Sequence, residues 1–542
     1  MRMIQLALPL LLAACLLLSA CTRTPAPKPE PVDSVKFEQG GSDMNTDNSA
    51  SIPDPTEYPP VWQKDIVIND AWTPGAALSD AVPIPAEIDA SEAQPVRIGL
   101  SAVEVTDENM DSSEGGLEAD YCTAAIADGT DAASVPGLVQ ALDEWNRYAK
   151  ETASTELAQA HARYSAYRQQ GADGFLYLTS WISMQIGRAD TQVLSYIRER
   201  YRYNREQEPN YYEFHGVTVD AVTGEKLSLN DFIGDTELLL TQLEIAARAQ
   251  LHYGYRDQAD ELTGLMKEAV LGCRDDGSFA WMVLPSGLEF RIAALDPNGV
   301  DHYSFSIFVP FTALKEGLRP ERTALSYDYL DELPKNECLS QLLGTEGPQP
   351  EGDEYFGNYF YGSIHGQNYL YAVSDEATSV YALGPTGAPE KIARIPGSLF
   401  HPAENYCYTT LDPEHVELTA MVQLGQELFL EGFCRIGEDG IPEPAALYTL
   451  SNNPLPMTTA MDFEAEIFPD EDSTEAQKGI VPAYSMLWIF RTDGETFIDC
   501  TFEGGICRGI CRIYVEGSWE EGWLFNGLPK EEVIGYEGYY ER

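Results

Sequence analysis

The apolar residues of this chain change their spacing part-way along it, and that change limits what the chain can fold into. From Pro136 onward, Leu138, Leu142, Trp145 and Ala149 recur at the three-to-four-residue spacing of one helix face. Ser134 is placed to cap this helix and Pro136 to sit in its first turn. The pattern predicts a helix running to Tyr167, interrupted near Thr152 to Thr155. Two runs rich in β-branched and aromatic residues follow, Phe175 to Ile186 and Gln192 to Tyr203, with Gly187-Arg188-Ala189-Asp190 between them as a turn. His215 to Asp220 reads as a third strand ending in the turn Thr223-Gly224-Glu225-Lys226. Asn230-Asp231 then caps a long helix to Tyr253, and a second helix covers Asp257 to Leu271. Phe279 to Leu284, Leu288 to Ala294 and Tyr303 to Val309 return to strand, and Pro310 to Leu314 closes the unit. Helix, hairpin strands, helices and further strands argue an α+β fold with helices packed on an antiparallel sheet.

The stretch before Pro136 holds one clear strand candidate, Val96 to Val105, and an acidic loop from Asp107 to Glu118. After about residue 340 the character changes again. Short aromatic segments alternate with turn clusters: Asn358 to Tyr361, Asn368 to Val373, Ser379 to Leu383, Leu428 to Arg435, Ala446 to Leu450, Met486 to Arg491, Thr496 to Thr501 and Ile510 to Glu516. Their signature is all-β, without a repeat regular enough for a propeller. Asp493-Gly494 between apolar-rich runs is a hairpin cue. The fold class expected is therefore α+β followed by a mostly β C-terminal domain.

The N-terminus is of another kind. A basic start, an apolar stretch from Met3 to Leu18 and small residues after it make a signal peptide. Leu18-Ser19-Ala20-Cys21 resembles a bacterial lipobox, which implies lipidation of Cys21, removal of the peptide before it, and a location on the extracytoplasmic face of the cell membrane. Leu12-Ala13-Ala14-Cys15 is a rival match that leaves a shorter apolar core. The other reading is an uncleaved membrane helix, since Met3 to Ala20 is long enough to be a candidate span. Residues 22–58, with Pro25, Pro27, Pro29 and Pro31, are too polar and Pro-rich to offset their ordering entropy and read as a disordered spacer. The expected divisions are 1–21 for the signal peptide, 22–58 for the spacer, 59–210 and 211–330 for two α+β domains, and 340–542 for the β domain.

Charge and cysteines narrow the partners. The chain carries 34 Lys and Arg against 87 Asp and Glu, a net charge of −53. That excludes nucleic-acid binding, which needs a basic footprint, and charge-driven binding to anionic lipid. It suits cationic partners, or an acidic surface whose role is solubility. Beyond Cys15 and Cys21 the chain has Cys122, Cys273, Cys338, Cys407, Cys434, Cys500, Cys507 and Cys511, an even set that permits disulfides in an exported protein. Six of the eight follow residue 330, so cross-links are expected there. In a strand, Cys507 and Cys511 would share one face about 13 Å apart, too far to bond each other, and Cys500 becomes a cross-strand candidate for one of them. Buried free thiols are the alternative.

Chemistry-bearing motifs are sparse. None of His161, His215, His252, His302, His365, His401 and His415 stands at metal-ligand spacing, and His215 fits a hydrogen-bonded structural role better than that of a base. There is no Gly-x-Ser-x-Gly elbow and no phosphate-binding Gly-rich loop. Asp296 to Asp301 and Asp275-Asp276-Gly277 lack the full calcium-loop register and read as turns. Trp519, Trp523, Tyr536, Tyr539 and Tyr540 either present rings for a ligand or close the β core. No catalytic residue, cofactor or metal is expected.

The stretch from His215 to Phe232, with Thr223-Gly224-Glu225-Lys226-Leu227-Ser228-Leu229-Asn230-Asp231, is continued by Gly287-Leu288-Glu289-Phe290 and Val309-Pro310-Phe311-Thr312-Ala313-Leu314. In this order the segments resemble the extracytoplasmic domain of the anti-sigma factor RsiV, shared with the non-catalytic part of the peptidoglycan deacetylase PdaC. The resemblance makes 211–330 an RsiV-like domain and 59–210 its usual companion. Its motifs are turns and strands, which make a fold rather than a site. The chain has no sigma-binding segment, and it lacks a Thr-Phe-Asp-Asp-Gly motif, of which Thr501-Phe502-Glu503-Gly504-Gly505 is a superficial echo. The resemblance implies a non-enzymatic, surface-anchored binding or sensing lipoprotein whose partner is a lysozyme-like basic protein or peptidoglycan. A wall-directed hydrolase with an unrecognised carboxylate site is the alternative.

Overall fold

The structure, a computed structural model, describes Val67–Ile68 and, apart from short stretches, residues 93–537, all within one compact unit, Tyr58–Arg542. The lipobox with Cys15 and Cys21, the spacer, Cys273, Asp275-Asp276 and the Asp296–Asp301 loop lie outside the described residues.

The helix Pro136–Gln169 is continuous. Leu138, Leu142, Trp145, Ala149 and Ala153 form its buried stripe, and the Trp145 indole donates to the Cys122 carbonyl at 3.1 Å. The expected interruption does not occur. Ser154 and Thr155 turn their hydroxyls back onto the carbonyls of Lys150 and Glu151 at 2.8 Å, which keeps them on the helical path. Ser134 belongs to a preceding 3-10 turn, Ala132–Ser134, capped by Asp131, and not to the helix cap.

This helix lies on a seven-stranded sheet. Strand Leu176–Ala189 pairs with Val193–Asn204, which pairs with Tyr211–Asp220, all antiparallel. On its other side, Leu176–Ala189 pairs in parallel with Gly115–Ile126. The sheet expected to be antiparallel thus contains a parallel pair here, because a 34-residue helix between two strands is long enough to return the chain in the same direction. The strands remain mostly antiparallel and the fold class is α+β, with the C-terminal part mostly β.

The turn after strand Leu176–Ala189 falls later than expected. Gly187, Arg188 and Ala189 stay in the strand past a bulge, and Asp190-Thr191-Gln192 makes the turn. A buried network holds it. Asp190 accepts the Arg188 guanidinium at 2.6 Å, the amides of Gln192 and Val193 at 2.8 Å, and the Tyr327 hydroxyl at 3.0 Å. Arg188 also donates to the Arg322 carbonyl at 2.6 Å.

A second sheet, the meander Phe279–Val283, Gly287–Leu295 and His302–Pro310, packs on the face of the first that the long helix does not cover. Two glycines allow the approach. A Cβ on Gly187 would stand 2.5 Å from the Val283 carbonyl, and one on Gly216 would stand 2.5 Å from that of Trp281. The Ser195 hydroxyl accepts the Val283 amide at 2.8 Å. On the outer edge, the Gln250 side chain bonds both the amide and the carbonyl of Phe308, at 2.8 and 2.7 Å. Gln250 ends the helix Thr236–Gln250, which packs on the helix Ala259–Val270. Asp235 caps the first of these by accepting the Leu238 amide. Asn230-Asp231, the expected cap, instead lies in the 3-10 turn Leu229–Asp231, closed by a box between Ser228 and Asp231.

Downstream, a six-stranded sheet takes its strands from Tyr329–Leu333, residues 358–396 and the short Val67–Ile68, and a larger sheet takes Ser398–Phe400 and strands within residues 416–537. One core joins them, with Phe360, Tyr371 and Val380 on the first and Leu418, Ile489 and Ile513 on the second. The hairpin at Asp493-Gly494 is present, with Gly494 at φ 84° and the Asp493 carboxylate accepting the amides of Glu495, Thr496 and Phe497. Trp523 is buried, so it closes the core.

Backbone pairing crosses the expected boundaries. Strand Cys407–Tyr408 joins the N-terminal sheet beside Gln185, and a disulfide links Cys407 to Cys122. The cross-link among the described residues therefore bridges 285 positions and does not lie wholly beyond residue 330 as the cysteine distribution suggested.

Candidate functional site

Strand Leu176–Ala189 alternates in the usual way. Ile182, Met184 and Ile186 enter the core beneath the long helix, while Trp181, Ser183 and Gln185 face the other way. That second face would meet solvent in an isolated hairpin. Here it forms the floor of a cleft of about 620 Å³. The meander supplies one wall through Glu289, Arg291 and Ser306, and Leu330 to Glu332 and Tyr408 to Leu411 supply the rest.

The register sets the floor. Trp181 stands opposite Tyr201, and Tyr201 opposite Tyr212, so three rings cross three strands in one row. Trp181 and Tyr201 stack at 5.0 Å between centroids, and Tyr201 meets Tyr212 at 4.5 Å. One step along, Ser183 stands opposite Glu199.

Glu199 begins the polar end of the cleft. Arg291 reaches across from the meander and donates to Glu199 at 3.0 Å, to Glu289 at 2.9 Å, and to the Gln185 side-chain oxygen. Glu289 also accepts the Ser306 hydroxyl at 2.7 Å. One guanidinium therefore ties the two sheets together and holds two carboxylates. Burial pushes the Glu199 carboxyl above its usual range; Arg291 works against that shift and Glu289 adds to it. The Arg291 guanidinium is raised despite its burial, because Glu289 and Glu199 stabilise its charge. With Asp331 and Glu332, the lining holds four carboxylates against one guanidinium.

The arrangement suits a ligand that brings positive charge or several hydroxyl groups to an acidic, aromatic-floored cleft. Among the described residues no group of His, Cys, Asp and Glu is placed to hold a metal ion. No described helix is long and apolar enough to cross a membrane. His215 stands away from the cleft lining and bonds Glu213 at 2.9 Å on its own strand.

Sequence reasoning did not single out the cleft residues. Glu289 was read as part of a strand motif, Gly287-Leu288-Glu289-Phe290, and Trp181, Glu199 and Tyr201 as ordinary strand residues. A usable signal existed. Glu289 and Arg291 alternate with Leu288, Phe290 and Ile292, so the strand has an apolar face and a charged one. Nothing in the alternation says that a second sheet covers the charged face.

No family model matches this chain, and no curated protein matches it. Solved structures are similar to part of it, and two of them are DUF3298 family proteins. One, a member of the DUF3298 family from Bacteroides fragilis, is 11% identical with a TM-score of 0.29, over 41% of this chain and 94% of that one. The other, a DUF3298 family protein from Pseudomonas aeruginosa, is 14% identical with a TM-score of 0.25, over 42% of this chain and 96% of that one. The DUF3298 domain is the domain type of the RsiV and PdaC extracytoplasmic regions. Neither likeness transfers a residue role to this chain.

Proposed function

We propose that this chain is a non-enzymatic binding lipoprotein of the bacterial envelope, anchored through Cys21, whose cleft receives a cationic group from a basic protein such as lysozyme. The observation that supports this reading is the lining: four carboxylates, one guanidinium and a row of three aromatic rings, on a chain of net charge −53. A Lys or Arg side chain entering such a cleft gains charge pairing and a cation–π contact together.

Calorimetry of residues 22–542 titrated with lysozyme, at low and at physiological salt, tests the reading. Binding that survives salt and falls about tenfold or more in Trp181→Ala supports it, since ring truncation at the centre of a site costs more than about 1.4 kcal/mol. Binding seen only at low salt is unspecific charge attraction and counts against it. Without binding of either kind, a peptidoglycan fragment becomes the ligand to test.

One observation favours a second reading, a wall-directed hydrolase. Glu199 and Glu289 share one guanidinium, and Glu199 is raised by burial, as a general acid requires. Against it, Glu289 is 2% exposed and fully engaged by Arg291 and Ser306. Release of soluble sugar from purified peptidoglycan, abolished in Glu199→Gln, would favour the hydrolase.

A further inference from the structure

The strands Phe497–Gly504 and Cys507–Ser518 form an antiparallel hairpin in which Cys500 lies directly opposite Cys511. Both are wholly buried, in the core with Ile489, Ile498 and Ile513. Both are free thiols in the structure. Directly opposed residues of an antiparallel pair have Cα atoms about 4.5–5.5 Å apart, inside the roughly 4.4–6.8 Å range that a disulfide spans. The two thiols are in hydrogen-bonding contact, so their sulfurs already face each other. Among the described strands no other cysteine stands opposite a second cysteine. Cys434 is opposite Val416 and Pro444, and Cys338 precedes the short helix Leu339–Leu343. Cys507 pairs with Gly504.

We propose that Cys500 and Cys511 are the site of a second disulfide, formed while the exported chain folds. The bond is made by exchange with a dithiol oxidase carrying a disulfide, or with glutathione disulfide. One cysteine thiolate attacks a sulfur of the oxidant, giving a mixed disulfide and one oxidant thiol. The second cysteine thiolate then displaces the remaining oxidant sulfur, closing Cys500–Cys511 and leaving the oxidant as two thiols. The two cysteine protons end on the oxidant's two sulfurs, and two electrons pass to the oxidant. The exchange belongs to folding. Burial raises the Cys500 thiol well above its usual value, and both sulfurs are wholly buried, so the finished core admits no oxidant. For the same reason the completed bond is closed to reductants.

Mass spectrometry of the full chain tests this. The protein is exported by its own signal into an oxidising compartment, purified without reductant, alkylated in denaturant and cut with trypsin. Cleavage after Arg491, Arg508 and Arg512 separates 492–508, which holds Cys500 and Cys507, from 509–512, which holds Cys511. The expected result is a linked pair of these peptides, lost on reduction, retained in Cys507→Ser and absent in Cys500→Ser. Fragmentation of the wild-type linked pair, which needs no variant to fold, should place the bond on Cys500 and the alkyl group on Cys507. Treating the native protein with dithiothreitol should leave the bond intact. The proposal is overturned by alkylated Cys500 and Cys511 in molecules whose Cys122–Cys407 bond is formed, or by a fragment spectrum that puts the bond on Cys507.

Discussion

Single side chains here are judged by what they would leave behind if removed. Asp190 is wholly buried, and its carboxylate answers a buried guanidinium, two amides and a phenol. Asp190→Ala strands the Arg188 charge in a dry interior, and the expected loss is about 3–5 kcal/mol by denaturant unfolding. Asp120 shows the opposite balance. Burial, with repulsion from Glu118 and Glu104, raises its carboxyl to about 6. Its folded value lies above the ordinary carboxylate value, so its contribution to stability is present at acid pH and lost as the pH rises through about 6. Asp120→Asn should therefore gain on the parent protein between pH 4 and pH 7. Unfolding free energies at a series of pH values check this, and a difference that stays flat across the range would refute it.

At the scale of elements, close backbone approach matters as much as apolar area. Trp145 plugs the helix Pro136–Gln169 onto the sheet, and Trp145→Ala should cost about 3–5 kcal/mol, the range for a buried aromatic truncated to a cavity. Gly216 has no such side chain, yet it carries the second sheet against the first. Gly216→Ala drives a methyl group into the Trp281 carbonyl, with an expected loss of about 1–3 kcal/mol. Because the meander bears Arg291, this variant should also weaken the lysozyme binding proposed above, without any change in charge. Calorimetry beside a thermal melt separates the two effects. At this scale the sequence was most legible. The three meander strands, the helix stripe and the Asp493-Gly494 hairpin were read almost at their observed bounds. The errors were local. Side-chain bonds from Ser154, Thr155, Asp190 and Asp235 moved caps, turns and breaks by a few residues.

For the whole molecule, the Cys122–Cys407 bond ties the C-terminal half to strand Gly115–Ile126 of the N-terminal sheet across 285 positions. It also fixes the cleft wall, because Tyr408 to Leu411 follow directly from Cys407. Replacing both cysteines with Ser should lower stability by about 2–5 kcal/mol, the usual cost of losing a native disulfide. Amide exchange should rise first at residues 408–411. Equal protection there in the variant would show that the backbone pairing of Tyr408 with Gln185 suffices.

What the sequence determined by itself is whatever depends on near neighbours. Periodicity fixes which face of Pro136–Gln169 is buried and hairpin spacing sets the antiparallel pairs, because each of these follows from residues within a turn or a strand of one another. The tertiary structure decided the cleft, the parallel pairs and the disulfide. Trp181, Glu199, Arg291 and Tyr408 come from four separate strands, and Cys122 and Cys407 from opposite halves of the chain. Alternation says that a strand has two faces. Only the arrival of a second sheet, admitted by two glycines, says which polar face becomes the lining of a site.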